Sequence, residues 1–551
     1  MSPTAPADFR ISPPPGEPLM DVRDATSWVA SLPLGDSATT AGHLYQAISE
    51  INRRELDPGR RLDLMELYAQ PVAAVSAALQ APWVFLQIPM APKARQQAEF
   101  LRDLHREMAR GYQCVLRDLL RAHNVPENRG TVCRAAERAI HQLIEVLLRS
   151  YQGYMPVPGG TWKEIHSLFR LVEEHGLADH PVDRQQDGLE AALTVRNSYL
   201  RALLLGICGP YQLPQNMCLR INAFLVNGSR LATVAPRAGA PDSAGRFLVD
   251  LAADSPARSI SKDAKAAIGP NLRVLDTSAL VRTVCVLAEQ LHRGETLPVS
   301  KVGFECTDGG CLDVLWHMIR FWENGAYRRY PRRGARDPEL SLCVGLKLLH
   351  FFSGARQPQF SQAVAATEGA GDDNAEVFID LESGASFATI LQPDGERFEA
   401  DHWKIRDESA SGLALMRGGS GVSVHVGALI GLRGPDASGW NVGMVRWLRS
   451  PDVEHVEIGV KLLGPAAVPV TVKLAGGSRT PGSLVPALQL AAVAAENQPP
   501  TLLIERGQVP VGGDFDLLDA EGSEAHRMRV LKVIRRTSSF EQMVCAPLVS
   551  E

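Results

Sequence analysis

The spacing of apolar residues changes along this chain, and the change restricts its fold class. In the stretch QQAEFLRDLHREMARGYQCVLRDLL, Phe100, Leu104, Met108, Val115 and Leu119 follow one another at steps of four and seven. That spacing lays them on one face of a helix whose reverse side is charged. Ile140, Leu143, Ile144 and Leu147 repeat the pattern. Beyond residue 336 the period falls to two: Leu342, Val344, Leu346 and Leu348 alternate with Ser341, Cys343, Gly345 and Lys347, as in a half-buried strand. A helical first half followed by a strand-rich second half makes the chain a multidomain α+β protein.

Local signals place the boundaries. Residues 1–25 form a proline-rich lead without the basic-then-apolar pattern of a signal peptide. An all-helical domain is expected over residues 26–235. Asp57-Pro58 marks one helix start. Thr161–Glu164, after a Gly-Gly pair, reads as a capping box with Trp162, Ile165, Phe169 and Val172 turned inward. The apolar stretch 71–90 is interrupted by Gln80, Pro82 and Gln87, so it reads as a buried helix and a short apolar segment, not a membrane span. A linker rich in Ala, Gly, Pro and Ser (235–245) opens a mixed α/β connector, 236–327. There 247–251 and 272–276 read as strands, and Asp276 can cap a helix carrying Leu280, Val284 and Leu287. Residues 328–475 and 476–551 then hold short strand candidates separated by turn residues, the pattern of small antiparallel barrels. Among these candidates are 422–426, 442–448 and 456–462. A polar, Gly/Ala-rich insertion interrupts the first of these regions around 354–400.

With 57 Lys+Arg against 62 Asp+Glu, the chain has no global attraction for nucleic acid or acidic membranes, so any anion site must be local. Such a site is suggested by RRYPRRGARD, where Arg328, Arg329, Arg332, Arg333 and Arg336 fall within nine residues. Guanidiniums four residues apart offer paired donors to phosphate oxygens and to the O6/N7 edge of guanine. The plain alternative is a solvated basic linker. A second element is Asp407-Glu408-Ser409-Ala410-Ser411-Gly412. Its carboxylate can accept from guanine N1–H and the N2 amino group. In an extended segment Ser409 projects from the same side as Asp407. Gly412 allows close backbone approach. The plain alternative here is an Asx-type turn.

Together these elements resemble the PilZ domain: R-R-G-A-R before a strand, then D-x-S-x-x-G entering another. VSVHVGALIGLRG resembles the middle strands of that fold. WNVGMVRWLRS followed by VEIGVKLLG resembles its closing strand pair. The resemblance spans roughly residues 330–470. It implies a six-stranded antiparallel barrel that binds cyclic di-GMP, with Arg332, Arg333 and Arg336 matching the arginine motif and Asp407, Ser409 and Gly412 the second motif. The long separation of the two motifs departs from the family and leaves the Arg328/Arg332, Arg329/Arg333 and Arg332/Arg336 frames open. The last is preferred because it abuts the strand.

The expected protein is therefore a cytoplasmic cyclic di-GMP receptor with no enzymatic activity, no cofactor or metal, no DNA partner and no membrane insertion. A protein partner is expected through the helical half. The nine cysteines are scattered singly and read as reduced thiols. Cys306, Cys311 and His317 lack a second ligand pair for zinc. Neither GGDEF nor EAL appears, nor does any nucleophile–base set. No motif assigns residues 1–325. The rival expectation is an interaction protein in which the barrel is a scaffold and the arginines contact RNA or an acidic protein surface. Only Tyr327 and Tyr330 interleave aromatics with the arginines, which is thin support for RNA.

Overall fold

The computed structural model describes residues 21–81, 83, 87–122, 125–182, 193–237, 244–260, 269–306, 310–325, 333–334, 339–354, 377–378, 388–391, 397–409, 411–419, 421–435, 437, 439–464, 466–474, 483–492, 499–518 and 525–548. The chain divides into two compact units, Met1–Leu86 with Met90–Arg328, and Gln87–Pro89 with Arg329–Glu551.

The first unit opens with eight α-helices: α1 (Val22–Ser31), α2 (Ser37–Arg53), α3 (Pro58–Gln80), α4 (Pro92–Arg121), α5 (Arg129–Gln152), α6 (Thr161–Glu174), α7 (Val195–Ile207) and α8 (Met217–Gly228). The periodic residues of α4 and α5 are buried, as their spacing requires. The Asp57 carboxylate caps α3 by accepting the Arg60 amide, with Pro58 in the first turn. At α6 the expected capping box is replaced. The Thr161 hydroxyl donates to Pro158 O instead, and Gly160 occupies the cap with φ 86°. The carboxylate of Asp254 comes from far along the chain to accept the amides of Gly160, Trp162 and Lys163 at 2.6, 3.0 and 3.1 Å. A side chain 90-odd residues downstream thus does the work expected of a local one.

After these helices come β1 (Thr233–Pro236), β2 (Arg246–Asp250), β3 (Arg258–Ser259) and β4 (Leu272–Asp276), an antiparallel sheet in the order β1-β4-β2-β3. Three helices follow: α9 (Ser278–His292), α10 (Val299–Val302) and α11 (Gly310–Asn324). Asp276 accepts the Ser278 amide at the start of α9.

The helical core contains buried polar groups in satisfied networks. Arg138 pairs with Glu66 and with the fully buried Glu137, which also accepts from Ser198 Oγ at 2.9 Å. His105 accepts from Ser76 Oγ at Nε2 (3.0 Å) and donates from Nδ1 to Gln142 Oε1 (2.7 Å), so it is held as a neutral tautomer. Burial, with Arg149 nearby, brings its pKa down to about 4. An imidazole kept neutral in the fold takes up a proton in the unfolded chain below about pH 6.5, so acid favours unfolding. His105 therefore contributes stability that is intact above about pH 6.5. It is lost at about 1.4 kcal/mol per pH unit until the folded protein also protonates near pH 4. Urea melts of wild type and His105→Gln at pH 7 and pH 5 are expected to show a smaller acid loss in the variant.

The second unit is built of strands. Its first part comprises β5 (Arg333–Gly334), β6 (Glu339–Val344), α12 (Leu346–Gly354), β7 (Val377–Phe378), β8 (Ala388–Leu391), β9 (Arg397–Ser409), β10 (Gly412–Gly418), β11 (Leu429–Arg433), β12 (Asn441–Arg449) and β13 (His455–Gly464). Six of these strands close into an antiparallel barrel in the order β6-β9-β10-β13-β12-β11, with β11 returning to β6. Within the insertion, β7 and β8 extend the sheet from the start of β9.

Two local expectations are corrected. The alternating run does not continue to Leu348: β6 stops at Val344, Gly345 takes φ 100°, and α12 begins at Leu346. Leu346 and Leu349 are buried with Phe352 packed alongside, a helical spacing that outweighs the period of two. Residues 422–426 form no strand. The Val422 backbone is held by side chains instead, its carbonyl accepting from Arg417 and its amide donating to Asp401.

The chain ends in a second closed antiparallel barrel: β14 (Ala467–Leu474), β15 (Leu484–Leu490), β16 (Thr501–Glu505), β17 (Asp514–Leu518), β18 (Ala525–Arg536) and β19 (Phe540–Pro547), in the order β14-β15-β16-β19-β18-β17. Val472, Ile504, Phe515 and Met543 help fill its interior. A further cluster joins Leu349, Leu429 and Trp440 of the first barrel region to Leu488, Leu503 and Phe540 of the second, so the barrels share core through α12.

Candidate functional site

The two sequence motifs meet on β9. Strand β5, inside the arginine run, pairs antiparallel with β9, setting Arg333 opposite Glu408 and Gly334 opposite Asp407. Backbone positions more than seventy residues apart in sequence thus become neighbours across a ladder. Arg328, Arg329, Arg332 and Arg336 lie outside the described residues, so the choice among the arginine frames is not decided by geometry.

The orientation of Asp407 and Ser409 depends on one extra residue. Along β9 and β10, Ser409 faces Gly412, Glu408 faces Leu413 and Asp407 faces Ala414, but the next pair is Ile405 with Leu415. Arg406 is therefore a bulge. Asp401, Trp403 and Ile405 alternate on the side of Leu415, which is fully buried in the barrel. Without the bulge, Asp407 and Ser409 would continue that inward series. The added residue shifts the alternation by one and turns both to the outer face, beside Ala414 and Gly412. Arg406 is ion-paired with Glu457 of β13.

Ser409 and Gly412 have structural duties beside any ligand. Ser409 Oγ donates to Gly412 O at 3.0 Å, closing the turn between β9 and β10. Its lone pairs remain acceptors. A Cβ on Gly412 would lie 2.2 Å from the Val460 carbonyl oxygen of β13. The glycine is thus required by close strand packing.

Further along the same strands lies a buried ion pair that the sequence motifs did not reveal. Arg417 of β10 bonds to Asp401 of β9, and its guanidinium lies 4.9 Å from the centroid of Trp403. A Cβ on Gly421 would lie 2.3 Å from Arg417 Nη1 and 2.4 Å from Asp401 Oδ2, so the chain passes directly over the pair. The pair joins the same two strands that carry Asp407, Ser409 and Gly412.

Elsewhere, His317 Nε2 meets Cys208 O at 2.8 Å and Cys311 Sγ donates to Glu305 O. Among the described residues, no group of His, Cys, Asp and Glu is arranged to hold a metal ion. None of the described helices is long and apolar enough to cross a membrane.

Comparison with known proteins covers nearly the whole chain. Three family models match in succession: "Cyclic-di-GMP receptor FimW, N-terminal domain" over residues 23–238, "Cyclic-di-GMP receptor FimW, middle PilZ domain" over 246–390 and 391–469, and "FimW C-terminal beta-barrel domain" over 470–544. The middle match begins well ahead of the arginine run, and the first covers the helical half, which no sequence motif had assigned. The curated protein "Cyclic-di-GMP receptor FimW" of Pseudomonas aeruginosa is 26% identical over 523 residues, spanning 88% of this chain and 84% of the relative. No solved structure matches. The helical half, the barrel that joins the arginine run to the Asp407 strand, and the closing barrel each meet their counterpart in order, and the chain belongs to the FimW family with a PilZ domain in its middle segment.

Proposed function

We infer that this chain is a cyclic di-GMP receptor whose ligand binds on the outer face of the first barrel. The observation that carries this is the β5–β9 pairing, which sets the arginine run beside Asp407 and Ser409 within a segment matched by a PilZ model. Arg332, Arg333 and Arg336 take the phosphates and the Hoogsteen edge of a guanine, and Asp407 takes the N1–H and N2 amino group. Ser409 accepts from ligand or ordered water, and Gly412 keeps the strands close. The function is recognition rather than catalysis, in keeping with the receptor family whose models match, and it belongs in the cytoplasm, where the messenger is made. The helical half is the output, through a protein partner.

Calorimetric titration with cyclic di-GMP, with GTP and a mixed-sequence RNA as controls, tests this. Micromolar or tighter binding of cyclic di-GMP alone is expected. Losing one charge-assisted arginine–phosphate contact costs about 1.5–3 kcal/mol, so Arg336→Ala is expected to bind about ten- to a hundredfold more weakly. Equal affinity in that variant would remove Arg336 from the site. RNA binding without cyclic di-GMP binding would favour the scaffold alternative.

A further inference from the structure

The helical half carries a cluster of charged side chains that the cyclic di-GMP site does not use. On α5, His141, Glu145 and Arg149 recur at steps of four and so share one face. Helices α7 and α8 both pack on α5. Arg149 Nη1 donates to Glu145 Oε2 at 2.5 Å, and Arg201 of α7 donates from Nε to Asn222 Oδ1 of α8 at 2.8 Å. Burial alone would raise the Glu145 carboxyl, yet Arg149, His141, His105 and Arg201 bring its pKa down to about 2. That carboxylate therefore sits in a strongly positive field.

Within this cluster Arg149 has donors to spare. Its side chain is 6% exposed, and its Nε finds no hydrogen-bond partner among the described residues. A guanidinium carries five N–H donors, and an orphaned one is costly in the interior. With Nη1 given to Glu145, the Nε–Nη2 edge is the one suited to grip two oxygens side by side. Arg149 also acts on the first turn of α8, where its charge opposes the rise that burial gives the Cys218 thiol. That helix opens at Asn216 without a side-chain cap, and its N-terminus adds to the positive field. The neighbouring polar groups differ. Ser76, His105 and Gln142 bond to one another and engage both ring nitrogens of the histidine. The Arg149 end is reached from solvent, since the Glu145 side chain is 17% exposed and His141 and Asn222 are partly exposed.

We propose that Arg149 and Arg201 bind the carboxylate or phosphate group of a small anionic ligand at the junction of α5, α7 and α8. Guanidiniums stay charged and present planar paired donors that match the oxygens of either group. An anion on the free edge of Arg149 satisfies the orphaned Nε and offsets the positive field around Glu145. The site belongs to the first unit, whereas the cyclic di-GMP motifs belong to the second, so neither assignment depends on the other. It gives the helical half a small-molecule input of its own.

The test is calorimetric titration of the full chain with inorganic phosphate and with succinate, at an ionic strength held constant with sodium chloride. Saturable binding of at least one probe is expected, and Arg149→Gln is expected to weaken it about tenfold or more. Phosphate binding without succinate binding marks a phosphate-bearing ligand, and the reverse marks a carboxylate. Arg149→Lys keeps the charge but not the paired donors, so its affinity is expected to fall between those of wild type and Arg149→Gln. Binding of neither probe overturns the proposal, as does binding that survives Arg149→Gln at full strength. Binding that is lost in Arg336→Ala instead places the anion on the barrel arginines and also overturns it. If Arg149→Gln does not fold, wild type carrying isotope-labelled arginine decides. The Arg149 Nε–H resonance, assigned by its absence from Arg149→Lys, is expected to shift when the bound probe is added, and a resonance that stays in place overturns the site.

Discussion

Replacing Arg417 with alanine is expected to destabilise the second unit by about 3–5 kcal/mol, the range for breaking one side of a buried ion pair. The side chains of Arg417 and Asp401 are only 4% and 6% exposed, so removing the guanidinium strands a carboxylate where water cannot reach it. It also empties the space over Trp403 and frees the Val422 carbonyl. The pair itself is far from ideal. Arg417 Nε and Nη2 find no hydrogen-bond partner among the described residues. An apolar replacement of both partners, Asp401→Leu with Arg417→Met, is therefore expected to recover most of the loss, because it removes the desolvation cost on both sides. Urea unfolding followed by tryptophan fluorescence measures each variant. A loss below about 1 kcal/mol for Arg417→Ala would mean that the pair is effectively solvated.

That ion pair illustrates where sequence reasoning stopped. Helix faces were legible because burial repeats at the helical period, and Phe100, Leu104 and Met108 of α4 need no distant partner to declare themselves. The Asp57-Pro58 start was legible because its cap acts on the following turn. What escaped depends on residues remote in sequence. The Asp254 cap of α6 comes from the connector, and Arg417 finds Asp401 only after β9 and β10 have paired. The break at Gly345 was hidden because Leu342 to Leu348 satisfies a period of two while Leu346, Leu349 and Phe352 equally satisfy a helical one. Of the candidate site, the sequence supplied residue types. Its aim was not legible, since a bulge at Arg406 leaves no mark in composition or spacing.

The bulge gives Asp407 its expected effect. Turned outward beside Ala414, its carboxylate would, in the proposed function, accept two hydrogen bonds from guanine, each charge-assisted. Losing both costs about 3 kcal/mol, so Asp407→Ala is expected to weaken cyclic di-GMP binding by roughly a hundredfold or more. Asp407→Asn should fall between the two. It keeps one acceptor but places an amide donor against the base's own donors. Stability should respond differently from affinity. Asp407 is only partly buried and lies beyond the Asp401–Arg417 pair, so a ligand-free thermal melt of Asp407→Ala is expected to stay close to wild type. A variant that melts far lower before ligand is added would make Asp407 a strand-end cap rather than a reader of guanine. A variant that melts normally and binds normally would place the base elsewhere on the barrel. Loss of affinity without loss of stability is the outcome that separates recognition from scaffolding at this position, because the same β9 strand holds a structural carboxylate, Asp401, six residues earlier on the inner face.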